Sequence, residues 1–204
     1  MNNSTGIQQQ KETIRIETFS DGIFCIAVTL LSIEIGIEVK DGMTNKGLME
    51  ELLHKWPILL AYATSFINVL LAWMGHHSLF KKINTTDSFV MIANGFLLML
   101  VALVPFPTKT LGQFLLTGAF KTAVIFYSGY FVLISLAFRL LWYAAAKKRI
   151  LLVHDITEKE IKAFTKNENL GLACNTVIMA VAFVSPWTAL ALSFVMWIYW
   201  VTLD

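Results

Sequence analysis

Residues 15–37 read RIETFSDGIFCIAVTLLSIEIGI. The stretch opens with the charged residues Arg15, Glu17 and Asp21, continues as an apolar run, and closes on Glu34, with Glu38 just beyond. About 20 apolar residues at 1.5 Å rise per residue cover the hydrocarbon core of a bilayer, so the spacing predicts a transmembrane helix. Ser20, Asp21 and Thr29 are costly against lipid unless each is paired or faces a wet cavity, and this sets the span apart from a plain anchor.

Working outward, 56% of the 204 residues are hydrophobic and only 15% are charged, with a mean hydropathy of +0.64. A compact soluble globule cannot hide that much apolar surface, which points to a membrane protein. Further apolar runs lie at 57–80, 88–104, 122–146, 170–184 and 187–203. Together they predict an all-α, polytopic protein of six transmembrane helices, with residues 1–204 as a single domain. Lys81 and Lys82 close the second run, Pro105 and Pro107 the third, and Lys147, Lys148 and Arg149 the fourth. A short loop is expected at 109–121. Residues 47–56, GLMEELLHKW, set Leu48, Leu52 and Trp56 against Glu50, Glu51 and Lys55, the pattern of a short interfacial helix. Thr157 and Glu160 match a capping box ahead of a short helix.

The distribution of basic residues predicts the orientation. Lys11, Arg15, Lys81, Lys82, Lys147, Lys148, Arg149, Lys159, Lys162 and Lys166 fall on one side of the six-span arrangement. Lys40, Lys46, Lys55, Lys109 and Lys121 fall on the other. Lys and Arg are retained on the cytoplasmic side during insertion, so both termini are expected there, in a multi-pass protein of the cell membrane. Glu34, Glu38 and Asp41 then stand at the outer end of the first span, where they concentrate cations. The polar N-terminus carries no pattern of a removable signal peptide. Cys25 and Cys174 both lie in apolar runs, which speaks against a disulfide framework.

Steps of four and three residues put Ile26, Leu30, Ile33 and Ile37 on one stripe of the first helix, with Thr29 beside it. Such a stripe serves either helix packing or pore lining, and periodicity alone favours packing. Asp21 is six residues from Arg15, too far round the helix for a simple pair, so its partner is expected on another helix or subunit. In AWMGHHSLFKK, Trp73, His76 and His77 lie at the same membrane depth as the start of the first span. Adjacent histidines diverge by about 100°, so a hydrogen bond from one of them to the Ser20 and Asp21 cluster is favoured over a shared metal. Asn68, Asn94 and Asn175 are candidates for interhelical hydrogen bonds. No catalytic motif, cofactor site or nucleic-acid-binding pattern is present, and an enzyme is disfavoured.

The run RIETFSDGIFCIAVTLLSIEI resembles the RxxxFSDxxxxIxxTLLxLEI pattern of the transmembrane protein 175 family of potassium channels, and Trp73, His76 and His77 resemble that family's second polar signature. Cys25 departs from it, standing where a small or hydroxyl residue is usual. The resemblance implies a single six-span unit of the bacterial type that assembles as a homotetramer, with the first helix lining a central pore. It further implies Ile26 as the narrowest ring, Leu30 and Ile33 as further rings, and Thr29 as the layer that bears on potassium selectivity. Arg15, Phe19, Ser20 and Asp21, together with Trp73, His76 and His77, would clamp the helices. Potassium ions, the bilayer and further copies of the chain are the implied partners. The competing expectation is a proton- or cation-coupled secondary transporter using Asp21 and the histidines. The absence of repeated halves and of matched broken helices weighs against it.

Overall fold

The computed structural model describes residues 2–33, 35–36 and 42–203, and the side chains of 13–33, 35–36 and 42–198. The described residues form eight α-helices: α1 (Asn2–Ile33), α2 (Asn45–His54), α3 (Trp56–Phe80), α4 (Ser88–Ala102), α5 (Pro105–Phe114), α6 (Phe120–Ala146), α7 (Glu158–Ala182) and α8 (Pro186–Leu203). A 3-10 turn at Arg149–Leu151 joins α6 to α7. Among the described residues four segments are long and apolar enough to cross a bilayer: Thr13–Ile33, Trp56–Phe80, Ser88–Phe114 and Phe120–Ala146. The chain is an all-helical membrane protein.

Local chemistry explains most helix ends. Thr44 caps α2 by accepting from the Gly47 amide, and Pro57 opens α3, where its missing N–H would have been unpaired in any case. Pro105 and Pro107 do not lead into a loop as expected from the sequence. A proline ring is tolerated in the first turn of a helix, so α5 starts there after a break at Leu103 and Val104 and carries the same segment on to Phe114. The capping box is present, with the Thr157 hydroxyl accepting from the Glu160 amide and the Glu160 carboxylate accepting from the Thr157 amide. The helix it starts is not short. It continues through the charged turns into the apolar run and ends at Ala182, because good helix formers need no interruption where a helix enters the membrane.

The core centres on α6, whose Tyr127, Leu141 and Trp142 are buried between α4, α5 and α7. Several polar groups inside this apolar bundle are paired with one another, as a medium without water favours. The Tyr127 hydroxyl lies 2.9 Å from Ser65 Oγ and accepts from Asn68 Nδ2 at 3.2 Å, while Asn68 Oδ1 accepts from Trp197 Nε1 at 2.9 Å. Thr108 donates to Ser65 at 2.6 Å, and Asn175 donates to Ser135 at 2.8 Å. At Gly112 an added Cβ would stand 3.0 Å from Ile58 Cα, so α5 approaches α3 as closely as backbones allow.

The basic end of the bundle is tied by shorter-range links. Asp87 caps α4 through the Val90 amide and accepts from Lys148 Nζ at 2.6 Å, while Arg149 pairs with Glu158. Ile83 and Leu152 form an isolated antiparallel bridge. The Thr13 hydroxyl donates to the Asn84 carbonyl at 3.1 Å, which brings the entry of α1 to the same end.

Candidate functional site

Helix α1 has two faces of different fate. Ser20, Phe24, Ala27 and Leu31, spaced by four, three and four residues, are all buried against α3 and α4. On the other face Ile26, Leu30 and Ile33 are exposed, by 59%, 39% and 71%, and Phe19, Cys25 and Thr29 are exposed with them. The helix therefore buries Phe24 and Leu31 with the small Ser20 and Ala27, and leaves a second apolar stripe facing outward. A shallow apolar groove runs beside the stripe, formed by Phe19, Ile23, Ile26 and Leu30 of α1 with Leu98 and Met99 of α4.

The buried face is held by hydrogen bonds whose direction can be worked out. The Ser20 hydroxyl donates to the Ile16 carbonyl at 2.8 Å, so its oxygen is free to accept, and Asn94 Nδ2 donates to it at 3.1 Å. That fixes the Asn94 amide with Oδ1 toward His76, where it lies 2.9 Å from Nε2, so Nε2 carries the proton. The imidazole is buried and packs between Phe24 and Phe80, at ring-centroid distances of 5.4 and 4.5 Å. Beside this chain, Trp73 Nε1 donates to Asp21 Oδ1 at 2.8 Å, and the indole stacks on His77 with centroids 6.0 Å apart. Three helices, α1, α3 and α4, are thus pinned at one depth.

Ser20, Asp21, Trp73, His76 and His77 come together as one polar cluster. Arg15 and Phe19 are exposed and stand outside it. Asn94 completes it, a residue the sequence offers as a candidate for an interhelical hydrogen bond but does not assign to this cluster. The signal was there, since an amide in an apolar helix needs a partner, but helix order along the chain does not say which. Glu34, Ile37 and Glu38 lie outside the described residues.

Thr29 Oγ1 donates to the Ile26 carbonyl at 2.8 Å and Ser32 Oγ to the Thr29 carbonyl at 2.7 Å. With its proton committed to the backbone, the Thr29 hydroxyl presents oxygen lone pairs on the exposed side. Such an oxygen can accept, and it can contact a cation. Among the described residues no group of three or more His, Cys, Asp or Glu side chains could hold a metal ion.

Fold and site together define a polytopic α-helical membrane protein whose first helix is clamped along one face and left bare along the other. A family model described as "Endosomal/lysosomal potassium channel TMEM175" matches residues 15–105, the part that holds the cluster and the stripe. A potassium channel of Chamaesiphon minutus is 40% identical over 191 residues, which cover 94% of each chain. A potassium channel of Streptomyces collinus is 34% identical over 181 residues, covering 88% of this chain and 87% of that one. The crystal structure described as a lysosomal potassium-selective channel TMEM175 homolog from Chamaesiphon minutus superposes with a TM-score of 0.84 at 39% identity, covering 95% of this chain and 98% of that one. The chain belongs to the TMEM175 family.

Proposed function

We propose that the protein is a potassium-permeable cation channel in which four copies surround a pore lined by α1. The observation that carries this reading is the bare stripe of Ile26, Leu30 and Ile33 on a helix whose opposite face is fully packed. Four copies about an axis would turn each of these residues into a ring, and an apolar ring can close a path by excluding water. Thr29 would add a ring of hydroxyl oxygens between the apolar ones, and Glu34 and Glu38 would gather cations at the outer mouth. The chain has no TVGYG-like loop, so its selectivity would rest on pore width and on those hydroxyls.

In this reading the apolar part of α7 and α8 complete six spans, and both termini are cytoplasmic in the cell membrane. The polar cluster of Ser20, Asp21, Trp73, His76 and His77 clamps α1 at the cytoplasmic end of the pore. Arg15 and Phe19, exposed in the single chain, would make their clamp contacts with neighbouring copies. Relatives that match over most of this chain are named potassium channels, which supports the choice of ion.

Reconstitution in liposomes, with reversal potentials recorded under opposed potassium and sodium gradients, tests the reading. A reversal potential displaced toward the potassium equilibrium value is expected. Flux that saturates with substrate and needs a proton gradient would instead make the protein a carrier.

A further inference from the structure

A cavity of about 350 Å³ lies between α3, α6 and α7, with Met196 of α8 at its edge, and no described residue of α1 lines it. It extends along α3 from Asn68 to Ser78, about 15 Å of helix at 1.5 Å per residue, and on to Lys82 just past the helix end. This volume falls within the range of small-molecule sites, which combine apolar walls with a few convergent polar groups. Here the walls include the rings of Phe131, Phe138 and Phe164.

Most of the polar groups on the lining are already engaged. Asn68 bridges Tyr127 and Trp197, and Asn175 donates to Ser135. The Lys82 ammonium sits 5.1 Å from the centre of the Phe164 ring and lies within the field of Glu160. Glu168 differs. It is half-buried, it lines the cavity, and its carboxylate has no hydrogen bond or ion pair among the described residues. The Arg139 guanidinium acts on it electrostatically and donates Nε–H to Asn169 Oδ1 at 2.6 Å.

We infer that this cavity is a binding site for an organic ammonium ion with an apolar body. The ammonium donates to the Glu168 carboxylate, and the body lies against the phenylalanine rings. Burial pushes the Glu168 carboxyl up to about 7, and an ammonium bound beside it favours the ionised form, which accepts stronger hydrogen bonds than a neutral acid. A neutral molecule of the same shape would leave Glu168 as unpaired as before, so the site discriminates by charge.

Calorimetric titration of the purified full chain with phenethylammonium, and with the neutral 2-phenylethanol, tests this. Saturable binding of the ammonium at one per chain is expected, with the alcohol at least tenfold weaker. Glu168→Gln should weaken the ammonium tenfold or more and leave the alcohol unchanged. Gly75→Leu fills the cavity from α3, where an added Cβ would have Phe138 Cε1 at 3.9 Å, and should abolish binding with Glu168 intact. Ser78→Met, on the same wall, serves the same purpose if Gly75→Leu fails to fold. Equal binding of ammonium and alcohol, or ammonium binding unaffected by Glu168→Gln, overturns the inference. Because α1 takes no part in the site, that result would leave the channel reading standing.

Discussion

Trp73 donates its indole N–H to the Asp21 carboxylate across 2.8 Å and so joins α3 to α1 one turn from the buried Ser20, Asn94 and His76 chain. Asp21 is exposed, and this bond ties its carboxylate to α3. A double-mutant cycle with Trp73→Phe and Asp21→Ala should return a coupling of about 1 kcal/mol, in the range of interhelical hydrogen bonds in membrane proteins. Equilibrium unfolding in mixed micelles measures it, and strictly additive losses would mean that the bond contributes nothing.

Asn94→Leu should cost more than Trp73→Phe. It strips His76 Nε2 of its acceptor in a buried site, and leaving a buried donor unsatisfied costs about 1–3 kcal/mol. The same unfolding assay ranks the two variants. The reverse ranking would assign the stability of this end to Trp73 rather than to the buried chain.

Ile26→Asn should raise cation flux into liposomes several-fold, because an amide ring holds water where an isoleucine ring excludes it. The side chain is exposed in the protomer, so folding should be unaffected. Unchanged flux in a correctly assembled variant would remove Ile26 from the constriction.

Thr29→Ala should lower the preference for potassium over sodium while changing stability little. Among the described residues the hydroxyl bonds to its own helix, at the Ile26 carbonyl, and alanine is a good helix former. Bi-ionic reversal potentials report the change. An identical ratio in both proteins would deny the hydroxyl any part in selectivity.

Asp87 provides a pH signature at the basic end of the bundle. Its hydrogen bond from Lys148, helped by the Val90 amide, holds its carboxyl below the ordinary carboxylate range. A carboxyl depressed in the folded state contributes stability above its unfolded pKa and loses it as pH falls through the folded one. The melting difference between the native chain and Asp87→Asn should therefore be constant near neutrality and vanish in acid. A difference independent of pH down to strongly acid conditions would rule out the ionised pair as its source.

Much of the fold was legible because bilayer-spanning length and helix caps are local properties. The runs at 57–80 and 122–146 correspond to α3 and α6, and Thr157 with Glu160 starts α7. Two boundaries were misjudged for a shared reason. Pro105 is as compatible with starting a helix as with ending one, and the charged turns of α7 read as a separate piece because composition changes there while the backbone does not. In both cases the local signal has two solutions, and packing chooses between them.

The site divides in the same way. Sequence alone determined that α1 would carry an apolar stripe at helical spacing and that Asp21 and the amides in the spans needed partners, since period and polarity are fixed by residue order. It did not determine whether the stripe of Ile26, Leu30 and Ile33 would face inward or outward. Only the tertiary structure decided that, because α3 and α4 both pack on the side with Ser20, Phe24, Ala27 and Leu31, where the Ser20 hydroxyl meets Asn94, and this leaves the other stripe without a cover in the protomer. Which histidine would serve was likewise a matter of packing. His76 lies toward Asn94 and the core while His77 turns onto Trp73, a difference of one helical step that becomes buried or exposed only once three helices are in place.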